Sequence, residues 1–346
     1  LIYRFFFIEK ELPRVQFFLC SDETMYTTYI GDHFNNCYYY LNKYYLSSNY
    51  SKIDSVLCKL CTTDCLKTYS QLISDLARIR EEHPEIFFNT NPNNVEICLT
   101  RVMLINLMKN FINQINSSNL VLPTTYETCY ANMDTYAKFN SFLTRNNIEY
   151  PIMIKFDGPE TKYDHLQFNL ICDKGLRNFC SYFRKFVGNN DKKKIKIIVQ
   201  QFIQHGGYLI KLYRIKNQNY IYYRPSLPNI GEDIMKKCPE YQKGFFQFET
   251  KDMGTQKFKD FWLKINGENN YFKDFVNERF VGEIAAKYAE VSGDSLVGLD
   301  FIMDVTKGIY YLIDINPFPA YSELYNDMNQ IFTEHFTMGI NAKKNI

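Results

Sequence analysis

Two apolar runs, GLDFIMDV from Gly298 and GIYYLIDIN from Gly308, meet at Thr306-Lys307-Gly308, and each carries one acid deep inside it. Apolar, β-branched and aromatic residues on both sides of a glycine-containing turn predict a β-hairpin. With Thr306, Lys307 and Gly308 as the loop and Gly308 left-handed, Val305 pairs with Ile309 and Asp300 falls opposite Asp314. Side chains two apart share a face, so Asn316 joins them. Facing residues hold their Cβ atoms about 4.5 to 5.5 Å apart, and like charges there are destabilising. Two carboxylates about 4 Å apart repel by several kcal/mol at an effective dielectric constant of about 20, so a cation is expected between them. Asp300, Asp314 and the Asn316 carbonyl are hard oxygen ligands, suited to magnesium that completes its shell with water and phosphate. An acid can also serve only to cap a turn. That suits Asp304 beside the loop, but not two acids set among Ile, Leu and Phe.

A second hairpin, YLIKLYRIKNQNYIYYRPS, repeats the pattern with the opposite charge. A two-residue turn at Asn217 and Gln218 sets Lys211 directly across from Arg224. Facing cations call for an anion between them, and a bidentate Arg beside a mobile ammonium makes a phosphate clamp. A solvated sheet edge with snorkelling stems is the alternative. Together the two hairpins describe magnesium, a polyphosphate and a phosphoryl group in transfer.

Composition excludes several classes. A chain of 346 residues can bury more than one core and divide into two or three domains. Its formal charge of +2 is the remainder of 40 basic and 38 acidic side chains, so no global field recruits nucleic acid or an anionic membrane. No apolar run approaches the roughly 18 residues of a membrane span. YRFFFIEKE is too short for a secretory signal, so a soluble, cytoplasmic protein is expected, and Leu1 in place of Met suggests a native start further upstream. Of ten cysteines only Cys58, Cys61 and Cys65, in CKLCTTDC, are clustered. A four-thiolate zinc site needs a matching pair that does not follow; reduced thiols are expected, a cluster with an outside fourth ligand being the alternative.

Along the chain, YRFFFI reads as strand, the Tyr- and Asn-rich residues 35–52 as loop, and IDSVLCK as a strand ending at Lys59. Leu66, Tyr69, Leu72, Leu76 and Ile79 recur at helical spacing ahead of Pro84. TRVMLINLMKNFINQI reads as a helix, PIMIK as a strand, KGLRNFCSYFRKF as a helix, and GNNDKKK as an exposed turn before the strand IKIIVQQFI. One long helix, YFKDFVNERFVGEIAAKYAEVSG, is expected to close on Gly293.

Four segments, QQFIQHGGYLIKLYRI, YYRPSLPN, GLDFI and IDINPFPAY, resemble the inositol 1,3,4-trisphosphate 5/6-kinases, and the HP of EEHPEIFF also fits. The likeness runs from about Lys59 to Tyr321. It implies the α/β (α+β) ATP-grasp fold, with ATP clamped between antiparallel sheets. A small α/β domain over 1–98 would lie on the inositol phosphate side, followed by a central subdomain over 99–198 and a C-terminal one over 199–346 with the metal site. By position, the resemblance implies that Arg101, Lys155, Gln200 and Ser226 hold the nucleotide. Lys211 would touch both nucleotide and inositol phosphate, and His165, His205, Arg224, Lys59 and Asn316 would face the acceptor. Asp300, Asp314 and Asn316 would hold one or two magnesium ions, with Lys211 and Asp314 catalytic. One departure stands out. Phe156 follows Lys155 where the family has proline and a glycine-containing phosphate loop, with Lys162 near the loop tip instead.

The expected activity is transfer of the γ-phosphoryl of ATP to a hydroxyl of a soluble inositol phosphate, of the 1,3,4-trisphosphate 5/6-kinase type with the 3,4,5,6-tetrakisphosphate 1-kinase reaction as a further option. Its partners would be ATP and inositol polyphosphate, with no nucleic acid and no membrane insertion, on a monomer. An ATP-grasp carboxylate-amine ligase and a non-catalytic inositol phosphate sensor are the alternatives.

Overall fold

The computed structural model describes residues 66–97, 100–157 and 165–317 with short breaks within 189–194, 232–233 and 267–271, the strands at 15–20, 38–39 and 55–60, Tyr163, and short pieces between 319 and 343. Four strands, β1 (Val15–Cys20), β2 (Tyr38–Tyr39), β3 (Ser55–Leu60) and β4 (Phe87–Phe88), pair in parallel in the order β2-β1-β3-β4. Helix α1 (Leu66–Glu82) connects β3 to β4, and α2 (Pro92–Ile97) follows. Strand β3 and helix α1 lie where their residue patterns put them, with Ile73, Leu76 and Ile79 buried along one side of the helix. The stretch read as loop contributes β2, a two-residue pairing with β1. YRFFFI, most of GNNDKKK, and Cys58, Cys61 and Cys65 as side chains lie outside the described residues.

Two five-stranded sheets make up the rest. The chain runs through α3 (Arg101–Ile115), β5 (Leu120–Val121), β6 (Thr125–Cys129), α4 (Tyr136–Arg145), β7 (Ile152–Asp157), β8 (Leu166–Leu170), α5 (Asp173–Phe186) and β9 (Lys196–Gln201). It continues through β10 (Tyr208–Ile215), β11 (Gln218–Pro225), α6 (Ile234–Lys237), β12 (Phe245–Glu249), α7 (Gln256–Asn266), α8 (Phe272–Phe275), α9 (Glu278–Ser292), β13 (Leu296–Asp304) and β14 (Ile309–Asn316). The central sheet has the order β12-β8-β7-β9-β6 and the C-terminal sheet β11-β10-β13-β14-β5, so each takes one edge strand from the other's stretch of chain. The helix expected over 271–293 is two: Asn277 accepts a hydrogen bond from Phe280 N at 3.0 Å and starts α9 afresh, and Gly293 ends it at φ 72°.

Alternation along the strands decides which residues reach the site. On β7, Ile152, Ile154 and Phe156 enter a core with Phe139 of α4 and Phe179 and Phe183 of α5, which leaves Met153 and Lys155 on the opposite face. On β10, Tyr208, Ile210 and Leu212 pack with α3 and α9, which leaves Leu209 and Lys211 on the other side. Each sheet thus buries one face under its helices and turns the other toward a shared cavity.

Both hairpins form, with turns that differ from expectation. In the first, Asp304 pairs with Ile309, so the loop holds four residues rather than three, Gly308 N bonding back to Asp304 O at 2.9 Å with Gly308 at φ 67°. A β-bulge between Asp300 and Phe301 then restores the register, and Asp300 does pair with Asp314. The core pattern shows the extra residue: Leu312 and Ile315 are buried, whereas both Ile313 and Asp314 line the cavity. Asp304 caps its turn, its Oδ1 accepting from Thr306 N at 3.1 Å and Thr306 Oγ1 at 2.6 Å. In the second hairpin the turn falls at Lys216 and Asn217, with Lys216 at φ 55°, one place earlier than expected. Lys211 therefore pairs with Tyr222 and Arg224 with Leu209, which corrects the expected Lys211–Arg224 pairing. The slip is two residues in the pairing, so both cations stay on one face as diagonal neighbours.

Candidate active site

Strand order brings together what neither hairpin holds alone. Lys211 on β10 pairs with Asp300 on β13, and Asp300 with Asp314 on β14, so a cation and two carboxylates stand in one row across three strands. Lys211 Nζ lies 3.7 Å from Asp300 Oδ1. Burial, opposed by Lys211 and reinforced by Asp314, pushes the Asp300 carboxyl up to about 6. Asp300 Oδ1 is buried without a hydrogen-bond partner among the described residues. An orphaned carboxylate oxygen facing a second carboxylate fits a divalent cation. Asn316 Nδ2 donates to Asp314 Oδ2 at 2.9 Å, which leaves the amide oxygen as the donor it can offer a metal. Among the described residues no three His, Cys, Asp or Glu gather, so a metal held here would complete its shell from phosphate or water.

The row opens on a cavity of about 400 Å³ whose lining includes Arg101, Lys155, Gln200, Lys211, Ser226, His165, His205, Arg224, Asp300 and Asp314. Asn316 adjoins Asp314 without lining it. Lys59 lies on β3, and its side chain falls outside the described residues, as does Lys162. Burial lowers the Lys155 ammonium to about 8, with Arg101 adding to the shift and Asp314 opposing it. Two cations in one dry corner are poised for an anion. Apolar Met153, Phe202, Leu227, Phe248 and Met253 form the neighbouring wall.

Five polar contacts hold the frame. Arg101 opens α3, where a cation opposes the helix dipole, and the compensating anion is the chain's own Asp157: its Oδ1 accepts from Arg101 N at 2.5 Å. Arg101 Nε donates to Phe156 O at 2.9 Å, while the Phe156 ring, fully buried, packs on Tyr163, Phe168 and Phe183. Phe156 thus serves the core where the resembling family has proline. His205 Nδ1 lies 2.7 Å from the Ile203 carbonyl, which can only accept, so Nδ1 carries the hydrogen and Nε2 accepts from the Ser226 hydroxyl at 2.9 Å. Burial depresses His205 to about 4, so it is a neutral orienting group for Ser226 rather than a cation. His165, at the rim, has Nδ1 3.3 Å from Thr250 Oγ1.

Two of these partners were not expected from the sequence. Asp157 lies two residues past Lys155 on the same strand, so period-two counting from Lys155 locates it. Glu323, in a short 3-10 turn over Ser322–Leu324, pairs with Arg224 Nε and accepts from the Tyr213 hydroxyl. No strand or helix periodicity reaches it.

Residues 188–338, which take in both hairpins, match the inositol 1,3,4-trisphosphate 5/6-kinase ATP-grasp domain. Inositol-tetrakisphosphate 1-kinase 4 of Glycine max is 28% identical over 148 residues, 42% of this chain and 40% of that protein. Inositol-tetrakisphosphate 1-kinase 1 of Arabidopsis thaliana is 27% identical over 156 residues, 44% of this chain and 47% of that one. The chain thus spans less than half the length of these curated relatives. Among solved structures, D-alanine–D-alanine ligase from Bacillus anthracis aligns over 96% of this chain and 99% of its own at TM-score 0.52 and 11% identity. The ATP-grasp ligase PsnB, complexed with minimal precursor, Mg and ADP, aligns over 94% and 98% at TM-score 0.52 and 10% identity. At such identities these two show the fold alone, which is ATP-grasp. Among the described residues no helix is long and apolar enough to cross a membrane. Over residues 188–338 this chain is thus similar to the ATP-grasp domain of the inositol 1,3,4-trisphosphate 5/6-kinases.

Proposed function

We propose that this chain is a kinase that transfers the γ-phosphoryl group of ATP to a hydroxyl of a soluble inositol polyphosphate. The observation that carries the reading is the three-strand row of Lys211, Asp300 and Asp314, with Arg224 on the same face and Lys155 and Arg101 in the same cavity. Lys155 and Arg101 hold the nucleotide phosphates, and an arriving polyphosphate would favour the charged form of Lys155 that burial disfavours. Gln200 and the apolar wall take the base, and Ser226, oriented by His205, meets the nucleotide. Lys211 stands where donor and acceptor meet and neutralises charge on the group in transfer. Arg224, His165 and Lys59 form the acceptor side. Magnesium on the oxygens of Asp300, Asp314 and Asn316 would supply further charge neutralisation to the polyphosphate. Among the described residues no strong general base stands in the cavity, which a loose transition state tolerates.

The test is incubation of the purified chain with magnesium, ATP and a panel of inositol phosphates, in parallel with amino acids and peptides. Products are separated by anion-exchange chromatography. A more phosphorylated inositol together with ADP is expected. ADP release that depends only on the amino acids would make the chain a ligase. Inositol phosphate binding in calorimetry without transfer would make it a sensor.

A further inference from the structure

The two hairpin cations that line the cavity, Lys211 and Arg224, each already have a carboxylate. Lys211 faces Asp300, and Arg224 is held by Glu323. The two pairs differ in what can break them. Asp300 is also a candidate metal ligand whose buried Oδ1 meets Lys211 only at 3.7 Å and makes no hydrogen bond among the described residues, so Lys211 can be released to an incoming phosphate. Glu323 is fixed at both oxygens, one on Arg224 Nε and the other on the Tyr213 hydroxyl. Tyr213 is fully buried on the same strand as Lys211, two residues further on and on the same face, and Leu324 anchors the turn that carries Glu323. The corner expected to grip acceptor phosphate therefore carries a fixed negative charge beside its arginine.

We propose that Glu323 sets which acceptors the site takes: by matching Arg224 within the fold, it favours inositols with few phosphates and turns away crowded ones. The inference rests on the kinase reading and adds the acceptor class to it. Arg224 lines the cavity and Glu323 holds it from behind, so a phosphate on that guanidinium shares it with a like charge, and the sharing costs affinity. A hydroxyl directed there can bond to the Arg224 guanidinium without that cost.

The test compares the chain with Glu323→Gln and Tyr213→Phe, using inositol 1,3,4-trisphosphate and an inositol pentakisphosphate as acceptors. Glu323→Gln is expected to raise the kcat/KM ratio of pentakisphosphate over trisphosphate about tenfold, through acceptor KM, with a smaller change in KM for ATP. Tyr213→Phe keeps the charge but loosens it, so its ratio should move the same way by less. A purely structural role for Glu323 would lower the unfolding midpoint and weaken both acceptors equally, and that result overturns the proposal. So does a ratio that stays within about twofold of the unmodified chain. Calorimetry with a non-hydrolysable ATP analogue runs the same comparison without turnover. A shifted affinity ratio there with no transfer would keep the Glu323 assignment and refute the kinase reading, and an unmoved ratio with transfer would do the reverse. Failure to bind either acceptor would overturn both.

Discussion

Asp157 offers the most direct check on how the frame is held. It is buried, it ends β7, and its carboxylate accepts from the first backbone N–H of the 15-residue helix α3 at 2.5 Å. A hydrogen bond to a charged group contributes about 1.5 to 3 kcal/mol, and an anion at a helix start adds about 0.3 to 1 kcal/mol. Burial raises the Asp157 pKa, which means that desolvation offsets part of that gain. Asp157→Ala should therefore cost about 2 kcal/mol in urea unfolding at unchanged m-value, and Asp157→Asn, which keeps an acceptor, about 1 kcal/mol. Nucleotide binding separates the tether from the charge. Asp157→Ala releases the helix start that carries Arg101 and should weaken ATP, whereas Asp157→Asn removes an anion beside the phosphate corner and should tighten it. Equal loss of stability in both variants, or ATP affinity moving the same way in both, would refute the argument.

Other outcomes follow from the same geometry. Asp314→Asn should keep the far-UV circular dichroism and the unfolding midpoint while losing at least about a hundredfold in kcat, and full activity would count against the metal assignment. His205 and His335 are buried and depressed from 6.5 to about 4, so the unfolded chain takes up protons that the folded one refuses. Stability should therefore be fully present above about pH 6.5 and fall as pH drops toward 4, by about 3 kcal/mol for each histidine, as read by chemical denaturation across that window. A flat profile would place water at both of these rings. A Cβ at Gly175 would lie 1.9 Å from the Gly244 carbonyl oxygen, so Gly175→Ala should force α5 away from the turn before β12 and cost more than about 3 kcal/mol. A cost under 1 kcal/mol would mean that the two segments separate easily.

Much of this site was legible in the sequence, for reasons that differ from residue to residue. Asp300 and Asp314 pair as expected, although through two departures that cancel, a loop one residue longer and a bulge that restores the register. The Lys211–Arg224 pairing was misplaced because Lys216 takes the left-handed turn position usually filled by Asn or Gly, which moved the turn by one place. Faces survived the error because the pairing moved by an even number. The Lys211–Asp300 contact was not legible at all: period and turn chemistry fix pairing within a hairpin, and nothing local states that β10 lies beside β13. Glu323 was hidden for a related reason, since a short turn after a strand has no period to read. The break at Asn277 was in view, because an N-capping residue ahead of an acidic one marks a helix start even inside a helical pattern.

The exchange of edge strands between the two five-stranded sheets governs how the chain can be cut. A truncation near residue 205 strips β12 from one half and β5 from the other, leaving each fragment with a naked rim of unpaired amides and carbonyls. Such fragments should clump rather than fold. The cleft between the sheets is accordingly the property of one indivisible, interlaced body, and any opening of it has to bend the crossing segments instead of parting two independent modules.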